Sequence, residues 1–228
     1  MTNNNVLIIS KDSLWTRELF DSLRLESSRN FKYSLLSEFT EEAIAAINPE
    51  WIFFFHWSKK VPKSIYNNYR CAVIHTSNLP EGRGGSPIQN QILDGIMNTR
   101  VNIIEMVDEF DAGGIYCSRG ITLQGTLTDI WLAISSAAKK LILECTSKDL
   151  RPKEQIGSPK NYKRRRDNEI NFGECKNLLQ VYDAVRMLDT THKEYPKSFC
   201  EIGEFILEFS RAKLEEGSIL SDVRISKK

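Results

Sequence analysis

The sequence predicts an α/β fold: a mostly parallel sheet with helices on both faces, followed by a small C-terminal helix and hairpin extension. Three observations predict it. Short apolar runs such as "NVLIIS" (5–10) and "WIFFFHW" (51–57) lack polar alternation, the pattern of strands buried on both faces. Stretches with apolar residues at helical spacing separate them. Strand–helix alternation of this kind favours parallel pairing under covering helices.

The elements follow in order. "NVLIIS" is the first strand, and "KDSLWTRELFDSLRLES" spaces Leu14, Leu19, Phe20 and Leu23 at helical intervals. "YSLLS" (33–37) reads as a second strand, and "TEEAIAAIN" (40–48) as a helix with Thr40 as N-cap. "WIFFFHW", "CAVIHTS" (71–77) and "RVNIIEMV" (100–107) are further buried-type strands. "TLTDIWLAISSAAKKLILECTSKDL" (126–150) is the longest helix candidate. After about residue 150 the chain turns polar and punctuated. A helix over 175–189 follows, then an alternating hairpin over 198–217 that turns near Gly203. The expected division is residues 1–172 as a Rossmann-like catalytic domain and 173–228 as a helix and β-hairpin subdomain.

Composition narrows the function classes. A chain of 228 residues with 41% hydrophobic and 27% charged residues suits a globular protein with a real core. Formal net charge is +1, so no global field favours nucleic acid or an acidic membrane. The five cysteines are scattered without a C-x-x-C pair, which argues against a disulfide framework or a zinc knuckle. No apolar run approaches the roughly 20 residues of a membrane helix, and the start lacks the marks of a signal peptide. A reducing cytoplasm is the expected compartment. The first strand-to-helix turn, "SKDSLW", lacks the glycines of a dinucleotide fingerprint, which argues against a nicotinamide or flavin there.

The chemistry is expected where "CAVIHTS" ends. His75 closes that strand, and "LPEGRGGSP" follows with Pro80, Gly82, Gly84, Gly85 and Pro87. So many glycines let backbone amides approach a ligand closely. "VDEFDAGGIY" follows another strand and puts Asp111 before Ala-Gly-Gly. By itself each residue also fits a plain role, a strand-end histidine and an acidic turn. Together, a carboxylate beside an imidazole fixes its tautomer and supports proton transfer. His56 and His192 offer no metal-ligand spacing, so no metal is expected.

The pattern "HTSNLPEGRGGSPI", then "DAGGI" with Asp111 36 residues past His75, resembles the 10-formyltetrahydrofolate-dependent formyltransferases. That family carries H-x-S-L-L-P-x-x-R-G-x-x-P followed by D-x-G-x-I. The resemblance extends to "YKRRRDNEI" and "VRMLDTTHKEYPKSF", although the arginine motif lacks its proline. It implies 10-formyltetrahydrofolate as co-substrate, with His75 and Asp111 catalytic and Trp57, Val61, Arg83, Gly84 and Asp108 near the folate. The family's asparagine two residues before the histidine is Val73 here. Asn102, on the strand leading to Asp111, is the first candidate to replace that donor, and Asn78 the second.

Within the family, the short stretch after "YPKSF" and the near-zero net charge favour the sugar N-formyltransferase type. The expected substrate is then a nucleotide-linked amino sugar, held by Arg164, Arg165 and Tyr195, with no nucleic acid and no membrane as partner. A methionyl-tRNA formyltransferase-like enzyme and a non-catalytic ligand-binding relative are the alternatives. A homodimer is left open.

Overall fold

The protein is described by a computed structural model covering residues 4–26, 32–166 and 168–228. In chain order its elements are β1 (Asn5–Ser10), α1 (Leu14–Arg24), β2 (Lys32–Leu36), α2 (Glu41–Ile47), β3 (Trp51–Phe55), α3 (Lys63–Tyr66) and β4 (Cys71–Thr76). Next come β5 (Glu81–Gly84), α4 (Pro87–Leu93), β6 (Asn98–Glu105), β7 (Ile115–Thr122), α5 (Leu127–Ser147) and β8 (Lys160–Tyr162). The chain ends with α6 (Leu178–Arg186), β9 (Ser198–Ile202), β10 (Phe205–Glu215) and β11 (Ser218–Lys227). Ser27, at the end of the first expected helix, and Asp167, in the arginine motif, lie outside the described residues.

The chain divides into two compact units, each assembled from separate segments: 1–84, 99–121 and 132–161 in the first, and 85–98, 122–131 and 162–228 in the second. The first unit holds a six-stranded sheet of order β2-β1-β3-β4-β6-β7. Strands β2, β1, β3 and β4 run parallel, as their apolar runs predict. Every residue of β3 is buried. On one face Leu7, Ile9, Ile52 and Phe54 pack with Ile44 of α2 and Ile65 of α3. Each such side chain contributes about 1.5–3 kcal/mol on burial.

The caps match the sequence. Ser13 accepts from the Thr16 N–H at the start of α1, and Thr40 from the Ala43 N–H at the start of α2. Thr126 and Asp129 cap each other's backbone at the start of α5.

One strand departs from the parallel expectation. β6 is antiparallel to β4, with His75 opposite Asn102 and Ala72 opposite Glu105. The carboxyl end of β6 therefore lies at the amino end of β4, and the 106–114 loop must double back to bring Asp111 to His75. Gly113 makes that return possible. A Cβ there would sit 1.9 Å from the Glu105 carbonyl oxygen.

In the second unit, β9, β10 and β11 form an antiparallel sheet. The expected hairpin thus gains a third strand, through a second turn at Gly217 (φ 73°) besides the one at Gly203 (φ 58°). Alpha-helix α6 starts at Asn177, whose side chain accepts from the Gln180 N–H. Buried Arg186 pairs with Asp183 at 2.6 Å and donates to the carbonyls of Leu123 and Gly125. That pairing meets the requirement that a buried charge have partners.

Candidate active site

The candidate site lies within the first unit, at the end of β4. His75 is 6% exposed, and both ring nitrogens have neighbours. Nδ1 is 3.4 Å from Asp111 Oδ1, and Nε2 is 2.9 Å from the Gly82 carbonyl oxygen. A carbonyl only accepts, so Nε2 carries a proton in this arrangement. The other Asp111 oxygen accepts from the Gly84 N–H at 2.9 Å. Asp111 itself has a left-handed backbone (φ 56°), a conformation that aspartate tolerates better than most residues. Gly82 (φ 81°) and Gly84 (φ 97°) supply the positive φ that turns a carbonyl to the imidazole and an amide to the carboxylate.

Hydrogen bonds from the Gln155 side chain hold the Asp111 loop. Gln155 donates to the carbonyls of Asp111 and Gly113, both at 2.8 Å. Its Oε1 accepts from Arg83 Nε (3.0 Å) and Nη2 (2.8 Å), while Arg83 Nη1 reaches Glu109 at 3.2 Å. Arg83 and Gly84, expected to meet the folate, are therefore engaged in bracing Asp111. Gln155 carries no motif signal in "RPKEQIGSPK" and was missed for that reason.

Asn102 sits beside His75 but does not present a free donor. It is 1% exposed. Its amide donates to the Ser77 carbonyl at 2.7 Å and more weakly toward the carbonyls of His75 and Arg100. Its oxygen accepts from Ser118 at 2.7 Å. The geometry corrects the expectation that Asn102 replaces the missing donor: it positions the His75–Ser77 backbone. Asn78 is exposed in the turn that follows. Near the site the Ser77 hydroxyl and the Trp57 indole N–H are buried without a hydrogen-bond partner among the described residues.

Trp57 packs against Phe39 and Phe54 and belongs with Val61 and Met106 to one apolar cluster. Asp108 instead faces the surface. Its hydrogen bond to Lys63 holds the carboxyl below the usual carboxylate range, with Lys60 adding to the effect and partial desolvation opposing it. His56 Nδ1 accepts from the Trp15 indole at 3.3 Å, a structural role. Among the described residues no group of three or more His, Cys, Asp or Glu could hold a metal ion. No helix among them is long and apolar enough to cross a membrane.

The second unit carries the basic run. Lys163, Arg164, Arg165 and Arg166 are all exposed. Their backbone is clamped by the "GSPIQN" segment. Gly85 N–H donates to the Tyr162 carbonyl, the Ser86 hydroxyl accepts from the Arg165 N–H, and Asn90 donates to the Lys163 carbonyl. A Cβ on Gly85 would lie 2.6 Å from Arg164 Cα. The glycine is there for the chain, not for a ligand, as the sequence alone suggested. Tyr195 is half-buried, and burial pushes its hydroxyl pKa up, partly offset by a hydrogen bond with Trp131. The same unit holds a groove of about 1100 Å³ between α6, the 168–175 segment and the sheet, lined by Arg165, Asp183, Met187, Leu207 and Phe209 among others.

Comparison with known proteins gives the following. A profile described as the methionyl-tRNA formyltransferase C-terminal domain matches residues 166–226. A methionyl-tRNA formyltransferase from Campylobacter curvus is 27% identical over 208 residues, 88% of this chain and 66% of that protein. The chain spans 50–66% of the length of the first three curated relatives it matches. A solved methionyl-tRNA formyltransferase from Clostridium thermocellum superimposes with a TM-score of 0.91 at 34% identity, covering 98% of this chain and 99% of that one. A sugar N-formyltransferase from a Shewanella species has a TM-score of 0.63 at 16% identity, covering 100% and 99%. The expectation of a nucleotide-linked amino sugar, with no nucleic acid as partner, is overturned by that contrast. The reason is physical as well. Net charge is a sum over the chain, and it does not register four consecutive exposed cations.

Proposed function

The chain belongs to the formyltransferase family, and on that premise we propose that it moves a formyl group from 10-formyltetrahydrofolate to the amine of methionyl-tRNA. The observation that carries the reading is the His75–Asp111 contact at 3.4 Å, held by Gly82 and Gly84 in the order of the motif. The choice of amine rests on the 34% identity to a methionyl-tRNA formyltransferase over nearly the whole chain.

The residues suit the roles. The folate supplies an electrophilic formyl carbon when bound. The cluster around Trp57, with one buried and unpartnered N–H, fits a flat heteroaromatic ring that has acceptor atoms at its edge. His75 Nε2 donates to the Gly82 carbonyl, and the same proton would serve an oxygen that takes that carbonyl's place and gains negative charge. Asp111 fixes the ring from the Nδ1 side and stabilises it when doubly protonated. Gln155 and Arg83 keep Asp111 in register. The exposed 163–166 run offers guanidinium groups to phosphates.

The test is turnover of 10-formyltetrahydrofolate with methionyl-tRNA and, separately, with a panel of nucleotide-linked amino sugars, read by mass. Formylation of methionyl-tRNA with no mass gain on the sugars is expected. Efficient sugar formylation without tRNA activity would overturn the reading.

A further inference from the structure

We propose that Cys117 and Cys145 form a reversible disulfide when the protein meets a hydroperoxide. The two sulfurs are 3.3 Å apart, Cys117 on β7 and Cys145 in the last turn of α5. Both residues belong to the first unit. A disulfide needs about 2.0 Å between sulfurs, so closure asks for a movement of roughly 1.3 Å, within the reach of a side-chain adjustment. The function proposed above does not enter this inference.

The pair is asymmetric in a useful way. Cys117 is partly exposed, and Cys145 is 1% exposed. Its hydrogen bond to Cys117, then burial, keeps the Cys145 thiol protonated far above the ordinary range. Cys117 is thus the sulfur an oxidant can reach, with a protonated thiol waiting behind it. The other cysteines lack this arrangement. Cys71 is buried, which pushes its thiol up to about 12. Cys200 is buried, and Cys175 lies near the Asn171 carbonyl at 3.5 Å.

The chemistry balances in two steps. Cys117 sulfur attacks the peroxide O–O bond and takes one oxygen as a sulfenic acid, while the peroxide leaves as an alcohol, or as water from hydrogen peroxide. Cys145 sulfur then displaces the sulfenic hydroxyl, which departs as water with the Cys145 proton. Two thiols are oxidised to one disulfide and one peroxide is reduced. A thiol reductant reverses the bond. The bridge closes a 28-residue separation and ties β7 to α5. It also lies one residue from Ser118, the partner of Asn102.

The test uses the full chain treated with stoichiometric hydrogen peroxide. Peptide mapping without reductant should give a Cys117–Cys145 cross-link with a loss of two hydrogens. The melting temperature should rise by roughly 5 °C, because the loop is closed in the unfolded chain too. Dithiothreitol should reverse both. Cys117→Ser and Cys145→Ser should each abolish the cross-link and the shift, and Cys175→Ser should leave them intact. If a variant folds poorly, phenylarsine oxide on the wild-type chain decides the matter, since it should bridge both thiols as a single 1:1 adduct. Cys117 driven to sulfinic acid without a cross-link, a disulfide between other cysteines, or no arsenical adduct at this pair would overturn the proposal.

Discussion

The His75 site and the basic run solve opposite problems. Around His75, polar groups answer one another at close range: His75 to Gly82 and Asp111, Asp111 to Gly84, Gln155 to Arg83, Asn102 to Ser77 and Ser118. Residues 163–166 are exposed, and only their backbone is clamped, by Gly85, Ser86 and Asn90. The first arrangement holds each polar atom against a partner within hydrogen-bond reach, as proton transfer requires. The second fixes the chain and leaves four cationic side chains exposed, which under the proposed function would meet a phosphate backbone. Chemistry and recognition should therefore respond differently to substitution.

The largest effect is expected at Asp111. Asparagine tolerates the left-handed backbone and can still accept from Gly84, so Asp111→Asn should fold normally. It should lower kcat by about 10²–10⁴-fold, the usual worth of a positioned acid–base group, with KM for both substrates little changed. Steady-state kinetics beside a thermal melt measures this. Turnover near wild type would show that Asp111 takes no part in the chemistry.

Next comes Gly85→Ala. The added Cβ meets Arg164 Cα, so the backbone of the basic run must shift. KM for methionyl-tRNA should rise by roughly tenfold while the folate KM holds, as expected when a binding surface moves and the chemistry does not. Asn102→Ala should follow. It removes the donor to the buried Ser77 carbonyl and the acceptor of the Ser118 O–H, which costs about 1–3 kcal/mol in stability by denaturant unfolding. It should reduce kcat by a smaller factor than Asp111→Asn, because Asn102 acts through the backbone.

Replacing Arg164 and Arg165 with alanine should raise the tRNA KM several-fold. If both cations meet phosphates, the salt dependence of binding, log K against log salt, should flatten by about 1.4–1.8. The smallest effect is Asn177→Ala, which removes the α6 cap and should cost about 1 kcal/mol of stability with no change in turnover.

Much of the first unit was legible in the sequence. Apolar runs marked β1, β3 and β4, and Thr40 announced its helix. The order His75, glycine loop, Asp111 located the candidate site. The antiparallel direction of β6 was not legible, because a buried run reads the same in either direction. β7 was missed since its residues are only partly buried and show no clean alternation. Gly85 was read as room for a ligand because sequence shows that space is needed but not what fills it. Asn102 lay on the expected strand, yet its amide partners are backbone carbonyls, which no side-chain pattern reveals. The substrate class was misjudged because the short stretch after "YPKSF" and the summed charge decided it, while the exposed 163–166 cations suit a pyrophosphate and a phosphate backbone alike.

The most direct test of the division between chemistry and recognition is single-turnover formyl transfer at saturating methionyl-tRNA and 10-formyltetrahydrofolate. Wild type, Asp111→Asn and the Arg164→Ala/Arg165→Ala pair would be compared at equal enzyme concentration. The arginine variant should reach the wild-type rate at saturation, and Asp111→Asn should remain slower by about a hundredfold or more. An Asp111→Asn rate equal to wild type, with the arginine variant slow at every tRNA concentration, would contradict that division.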